Sequence, residues 1–310
     1  MPPPVYAHKE LHQFLSQQDY FSGHISLKQN ATTLIQASYK SSLPFDAPIE
    51  LGPITQSFMG ALCHQLERQQ ILTLEEPFGT YLPATTYRFP HLATCTLKHL
   101  LTHTSGCIDF VDDPQYFSED LLHYPHTTAS LFPALCKRPS LFPPGQAYHY
   151  SRLGYILLTH ILQTLTHQSL SQLMQQYVLH PLELKETHTA KALTHLSWDP
   201  SVIVGWGHMT STIGNLEKWL DAIFLHQFAY YETIETQIFK DQKNAVHTGL
   251  GWHQLSLHGH SCYTNTPPSL GTPATVLYFP KINMRLIMAA APYIQKPPLR
   301  SLIKDLLDRL

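Results

Sequence analysis

The chain has 310 residues, 43% of them apolar and 14% charged, a composition that suits a globular protein with a sizeable core. Its 20 basic and 22 acidic side chains nearly cancel, and no Lys/Arg cluster could track a phosphate backbone, which argues against nucleic acid as a partner. No apolar run approaches the roughly 20 residues that span a bilayer.

In chain order, Met1-Pro2-Pro3-Pro4-Val5-Tyr6-Ala7-His8 lacks the basic and apolar regions of a Sec signal. With five scattered cysteines, Cys63, Cys95, Cys107, Cys136 and Cys262, reduced buried thiols and a cytoplasmic location are expected; a non-Sec export route would leave no mark of this kind. Gly23 to Gln29 and Thr32 to Tyr39 alternate apolar and polar residues around Asn30-Ala31, predicting an N-terminal β-hairpin. From Pro53 to Gln70, Ile54, Phe58, Ala61, Leu62 and Leu66 recur near every 3.6 residues, predicting an amphipathic helix in which Pro53 is tolerated because it falls in the first turn. A Pro-rich stretch from Phe89 to Pro144 reads as loops around a short helix at Leu97 to His103. A second strong helix starts at Ser151, Ser169 caps another, and Asn215 is the expected N-cap of the helix carrying Trp219. Ala274 to Phe279 and Met284 to Ala291 form a second predicted hairpin. Leu299, Leu302, Ile303, Leu306, Leu307 and Leu310 make a final helical stripe.

Strands at both ends with helices between and after them give the expected class: α+β, an antiparallel sheet flanked by helices with an inserted helical, loop-rich lobe. The expected lobes are an α/β lobe of about 20–85 and 200–310 and a helical lobe of about 86–199. The 21 histidines raise the question of a metal. His99 and His103 are four apart but lack the Glu and third ligand of a zinc helix motif, so no metal and no cofactor are expected.

Several segments, in order, resemble the serine β-lactamase and penicillin-binding D,D-peptidase family in its class C and esterase-like branch. Leu97-Lys98-His99-Leu100-Leu101-Thr102-His103-Thr104-Ser105-Gly106 is very close to that family's His-Leu-Leu-Thr-His-Thr-Ser-Gly. Phe142-Pro143-Pro144-Gly145 leading to Tyr148-His149-Tyr150-Ser151-Arg152 is similar to its second catalytic motif, His180-Pro181-Leu182-Glu183-Leu184-Lys185-Glu186-Thr187 to its Pro-Leu-Gly-Met turn, and Gly249-Leu250-Gly251-Trp252 to its Gly-Leu-Gly-Trp strand entry.

The resemblance implies acyl transfer by a helix-opening serine, assisted by a lysine one turn later and a tyrosine from the second lobe, with two backbone N–H groups holding the oxyanion. In this chain the serine position is Pro53 and the lysine position Gln56. Tyr150 keeps the tyrosine, while the asparagine two residues on is Arg152. Counting from Gly271 and Pro280, the third motif falls on Asn265-Thr266-Pro267-Pro268, with Tyr263-Thr264-Asn265 as the alternative register. In the first register an oxyanion donor falls on Pro268, which has no N–H.

The expectation is therefore a catalytically inactive member that serves as a binding or scaffolding module for an unnamed protein or small-molecule ligand, with no residue assigned to catalysis and Tyr150 and Arg152 as ligand-binding candidates. Arg152 could grip an anion in a bidentate way or pair with a neighbouring acid. The alternative is an active serine hydrolase or esterase rewired around Ser57, Ser151 or Tyr150. Ser301-Leu302-Ile303-Lys304 spells Ser-x-x-Lys in the last helix and reads as coincidence.

Overall fold

The structure, a computed structural model, describes residues 5–17, 21–83, 92–109, 127, 139–189, 200–225, 239–241, 246–265, 274–290 and 299–308. Helix α1 (Val5–Ser16) precedes strands β1 (Gly23–Gln29) and β2 (Thr32–Tyr39), the predicted hairpin. Asn30 turns it at φ +52°, a left-handed conformation that Asn tolerates better than most residues. After β3 (Ile49–Glu50), a 3-10 turn over Gly52–Ile54 leads into α2 (Thr55–Arg68). Pro53 lies inside that turn rather than in the α-helix proper.

The short helices α3 (Phe78–Tyr81) and α4 (Leu97–Leu101) are followed by α5 (Arg152–Thr166) and α6 (Leu170–Met174), the last running on into a π-helical turn, Gln175–Leu179. Much of the predicted loop-rich stretch from Phe89 to Pro144 lies outside the described residues. Then come β4 (His188–Thr189), β5 (Met209–Ser211), α7 (Ile213–Phe224), β6 (Phe239–Asp241), β7 (Val246–Thr248), β8 (His253–Leu257), β9 (His260–Thr264), β10 (Ala274–Phe279), β11 (Met284–Ala290) and α8 (Leu299–Leu307).

Eight strands form one antiparallel sheet in the order β2-β1-β11-β10-β9-β8-β7-β6, and β3-β5-β4 form a small second sheet. The first and last strands of the chain are thus neighbours, Gly23 pairing Ala290 and Gln29 pairing Met284. His258 (φ +49°) and Gly259 (φ +84°) close the β8–β9 hairpin, as a two-residue turn with positive φ at both positions requires.

The caps largely follow the sequence. Thr96, Ser151 and Ser169 each accept a backbone N–H at the start of α4, α5 and α6. The cap of α7 differs from expectation. Thr212, in an extended conformation, accepts the N–H of Asn215, so Asn215 is the third helical residue and not the cap. Its side chain is buried and donates instead to Thr187 Oγ1 at 3.1 Å.

One apolar core, with Phe58, Trp219 and Trp252 in it, lies between the sheet and α2, α5 and α7. A second, with Leu11, Ile25, Phe279 and Leu302, joins the other face to α1 and α8. On β10 and β11 the residues alternate between the two cores, Leu277 facing the second and Tyr278 the first, as the two-residue period of a sheet with both faces covered demands. Among the described residues no helix is long and apolar enough to cross a membrane.

Candidate functional site

The segments singled out in the sequence meet around the first turn of α2. Gly251 sits at φ +78°, and a Cβ there would lie 2.2 Å from the Gln56 carbonyl oxygen, so the Gly249–Trp252 turn presses directly on α2. Asn265, fully buried just after β9, donates its Nδ2–H to the Gly251 carbonyl. On the helical side, the N–H of Gly145 donates to the Thr104 carbonyl at 2.8 Å and that of His149 to the His103 carbonyl at 2.9 Å. The His-Thr-Ser-Gly turn and the Pro-Pro-Gly to Tyr150 segment are thereby tied together.

Gln56 joins the two sides. Its Nε2–H donates to Tyr150 Oη at 2.8 Å, and its Oε1 accepts from His103 Nε2 at 3.1 Å. The His103 tautomer is set by its other nitrogen: Nδ1 accepts the N–H of Ser151 at 3.2 Å, which leaves the proton on Nε2. The His103 ring lies 4.4 Å from that of Tyr150 and stacks on His253 at 5.8 Å and 15°. Tyr148 Oη and His253 Nε2 are 3.1 Å apart.

Burial sets the protonation states here. Desolvation, then the neighbouring His253, holds His103 well below the usual imidazole range, and desolvation lowers His253 to about 4. Both rings are neutral near pH 7. Desolvation pushes the Tyr150 phenol up to about 12 against the pull of Arg152, so it stays protonated and cannot serve as a base near neutral pH.

Pro53 is buried in the 3-10 turn before α2. Arg152 pairs with Asp109 and stands 5.3 Å from the ring centre of Tyr150 and 5.1 Å from that of Trp206; of its two readings, the acidic partner is the one present. Thr266, Pro267 and Pro268 lie outside the described residues. Ser57 is fully buried, donates to the Ile54 carbonyl at 2.7 Å and accepts from Trp219 Nε1 at 3.1 Å. Ser151 caps α5 and donates to the Ile108 carbonyl at 3.2 Å. Lys304 meets Asp308 at 2.7 Å.

His99 Nδ1 accepts the N–H of Thr96, while His103 comes after the end of α4 at φ +56°; the two therefore do not share a helix face. Among the described residues no group of three or more His, Cys, Asp or Glu is placed to hold a metal ion. The sequence reading missed His253. Its position directly after Trp252, at a strand entry beside the α2 segment, was the available signal.

The Beta-lactamase family model matches residues 33–291, and the chain belongs to that family. Among curated relatives, Penicillin-binding protein 4* of Bacillus subtilis (strain 168) is 24% identical over 186 residues, 57% of this chain and 40% of that protein. Protein flp of Staphylococcus aureus (strain MW2) is 27% identical over 140 residues, 44% of this chain and 27% of that protein. The match therefore spans less than half the length of these relatives. Among solved structures, D-amino acid amidase from Ochrobactrum anthropi SV3 has a TM-score of 0.76 at 18% identity, covering 98% of this chain and 96% of that one. A penicillin-binding protein from Bacillus halodurans has a TM-score of 0.75 at 19% identity, covering 97% and 99%. A D-stereospecific amidohydrolase from Streptomyces sp. has a TM-score of 0.75 at 17% identity, covering 93% and 94%. The fold is that of the β-lactamases and penicillin-binding proteins, and the activities named for these relatives belong to those proteins.

Proposed function

We propose that this chain is a non-acylating member of the Beta-lactamase family, built of two interleaved lobes and acting as a binding or scaffolding module. The observation that carries the reading is the engagement of Gln56. The side chain at the position where the family has its lysine is an uncharged carboxamide, bonded at one end to His103 and at the other to Tyr150. Pro53, one turn earlier, offers neither a hydroxyl to attack a carbonyl nor an N–H to an oxyanion.

Loss of one oxyanion donor costs roughly 10²–10³ in rate, and loss of a nucleophilic group on the order of 10⁴–10⁶. Against a rewired hydrolase stand the two internal hydrogen bonds of Ser57, the capping role of Ser151 and the raised pKa of Tyr150. Among the described residues none of these oxygens is hydrogen-bonded to an imidazole, an amine or a carboxylate: their partners are backbone groups, Trp219 and Gln56.

The test is intact mass of the folded protein after incubation with a penicillin, a cephalosporin, an activated ester and a fluorophosphonate. The expected result is no stoichiometric adduct with any probe. An adduct mapping to a single residue would overturn the proposal and identify the nucleophile of an active serine hydrolase.

A further inference from the structure

The large sheet ends on two very different strands. At one end β6 is three residues long and its sequence includes Lys240 and Asp241. At the other, β2 runs for eight residues, Thr32–Tyr39, with no charged residue, proline or glycine among them. Sheets ordinarily protect an open edge by keeping it short, charging it or bending it, because its outward N–H and C=O groups are a template for a further strand. β2 has one such device, in its first half. Leu27 pairs with Ile35 and Lys28 with Thr33, so Leu34 is the extra residue of a bulge. Beyond it, residues 35–39 pair regularly with residues 23–27 of β1, and among the described residues no strand lies on their other side.

The two faces of this segment differ. Ile35 and Tyr39 belong to the second core, and Ala37 between them is only partly buried against it. Helix α1 packs on β2. Its Leu11 and Leu15 lie in the same core, His12 Nδ1 is 2.6 Å from Tyr39 Oη, and Phe14 is only partly buried. Ala37 and Phe14 thus leave apolar surface part-exposed beside an open strand edge. On the opposite face, Gln36 and Ser38 are exposed.

The composition of β2 points to a second copy as the occupant. In an isologous contact each residue meets its own copy or one equally far from the two-fold axis, so a charged strand repels itself and an uncharged one does not. With the axis at Ala37, antiparallel pairing sets Ile35 against Tyr39 of the second copy, a β-branched and aromatic pair. It also sets Gln36 against Ser38, two uncharged side chains that can hydrogen-bond. The smallest side chain of the segment, Ala37, falls on the axis. Strands β1, β11, β10 and β9 separate β2 from β8, whose first residue is His253 of the Gln56 cluster. The contact is therefore independent of whether that cluster acylates.

We propose that β2 is a self-association edge, through which two copies of the chain pair antiparallel along residues 35–39 and join their sheets into one. A pairing this short, flanked by one helix, lies at the small end of specific interfaces, so the dimer dissociates on dilution. Sedimentation equilibrium of the full chain from about 1 μM to about 500 μM should show the mass rising from one chain towards two. Gln36→Lys alters an exposed side chain and sets like charges across the axis, so it should weaken the dimer roughly tenfold or more with an unchanged circular dichroism spectrum. Covalent capture locates the contact. In a Cys136→Ser background, where the remaining described cysteines are buried, Gln36→Cys should yield a dimer with a bismaleimide of about 8 Å reach, the diagonal spacing across such a pair. The background chain by itself should yield none. A mass of one chain at every concentration, a dimer undiminished by Gln36→Lys, or no crosslink from position 36 would each overturn the proposal.

Discussion

Gln56 has one acceptor end and one donor end, and its environment uses both: His103 Nε2–H fills the first and Tyr150 Oη the second. Truncation to alanine would leave a buried imidazole N–H without a partner, at a cost of about 1–3 kcal/mol. Urea unfolding of Gln56→Ala at pH 7 should show a loss of that size. The two stacked imidazoles also tie stability to pH. Unfolded, each titrates near 6.5; folded, His253 titrates at about 4 and His103 lies well below 6.5. Between those values the unfolded chain binds protons that the folded chain refuses, so stability rises with pH across the window. It is fully present above about pH 6.5 and is lost as pH falls toward 4. His253 by itself accounts for roughly 3 kcal/mol of that loss. His253→Gln should lose correspondingly less stability than the parent chain between pH 7 and pH 4 in the same urea assay.

At the level of elements, α7 shows what ties the helices to the site. Trp219 stacks on Phe58 at 4.0 Å and 10° and donates to Ser57 Oγ, so one residue of α7 holds the start of α2 by both packing and a hydrogen bond. Trp219→Ala should cost about 3–5 kcal/mol, read as a lowered urea midpoint with an unchanged m-value. The periodicity of Leu216, Trp219, Leu220 and Ile223 made this helix visible in the sequence, yet its cap was placed too late. Both Thr212 and Asn215 are good capping residues. What separates them is that Asn215 is drawn inward by Thr187, a residue 28 positions away.

Across the whole molecule, the sheet is covered on both faces, and the cysteines show how completely. Burial pushes the thiols of Cys63, Cys107 and Cys262 up to about 12, about 11 and about 12, and Cys95 is buried too. Cys136 lies outside the described residues, so the measurement uses Cys136→Ser. In that chain a thiol-reactive dye should label none of the remaining cysteines at pH 8 in native buffer and all of them in denaturant. Fast native labelling would contradict the packing described.

Local pattern was enough for some elements of this fold, while α1, α3 and the strands β3 to β9 were not read from it. The hairpin β1–β2, the helix α2 after Pro53, the caps at Ser151 and Ser169 and the pair β10–β11 all arise from periods of 2 and 3.6 and from capping chemistry, which act over a few residues. The absence of a hydroxyl at Pro53 and of an amine at Gln56 is likewise fixed by residue identity. Tertiary structure alone decided what those residues touch. It brought Gln56 between His103 and Tyr150, set Arg152 against Asp109 and stacked His253 on His103. Each of these joins residues well separated along the chain, and the cost of closing such loops is met only by the packing of the folded molecule.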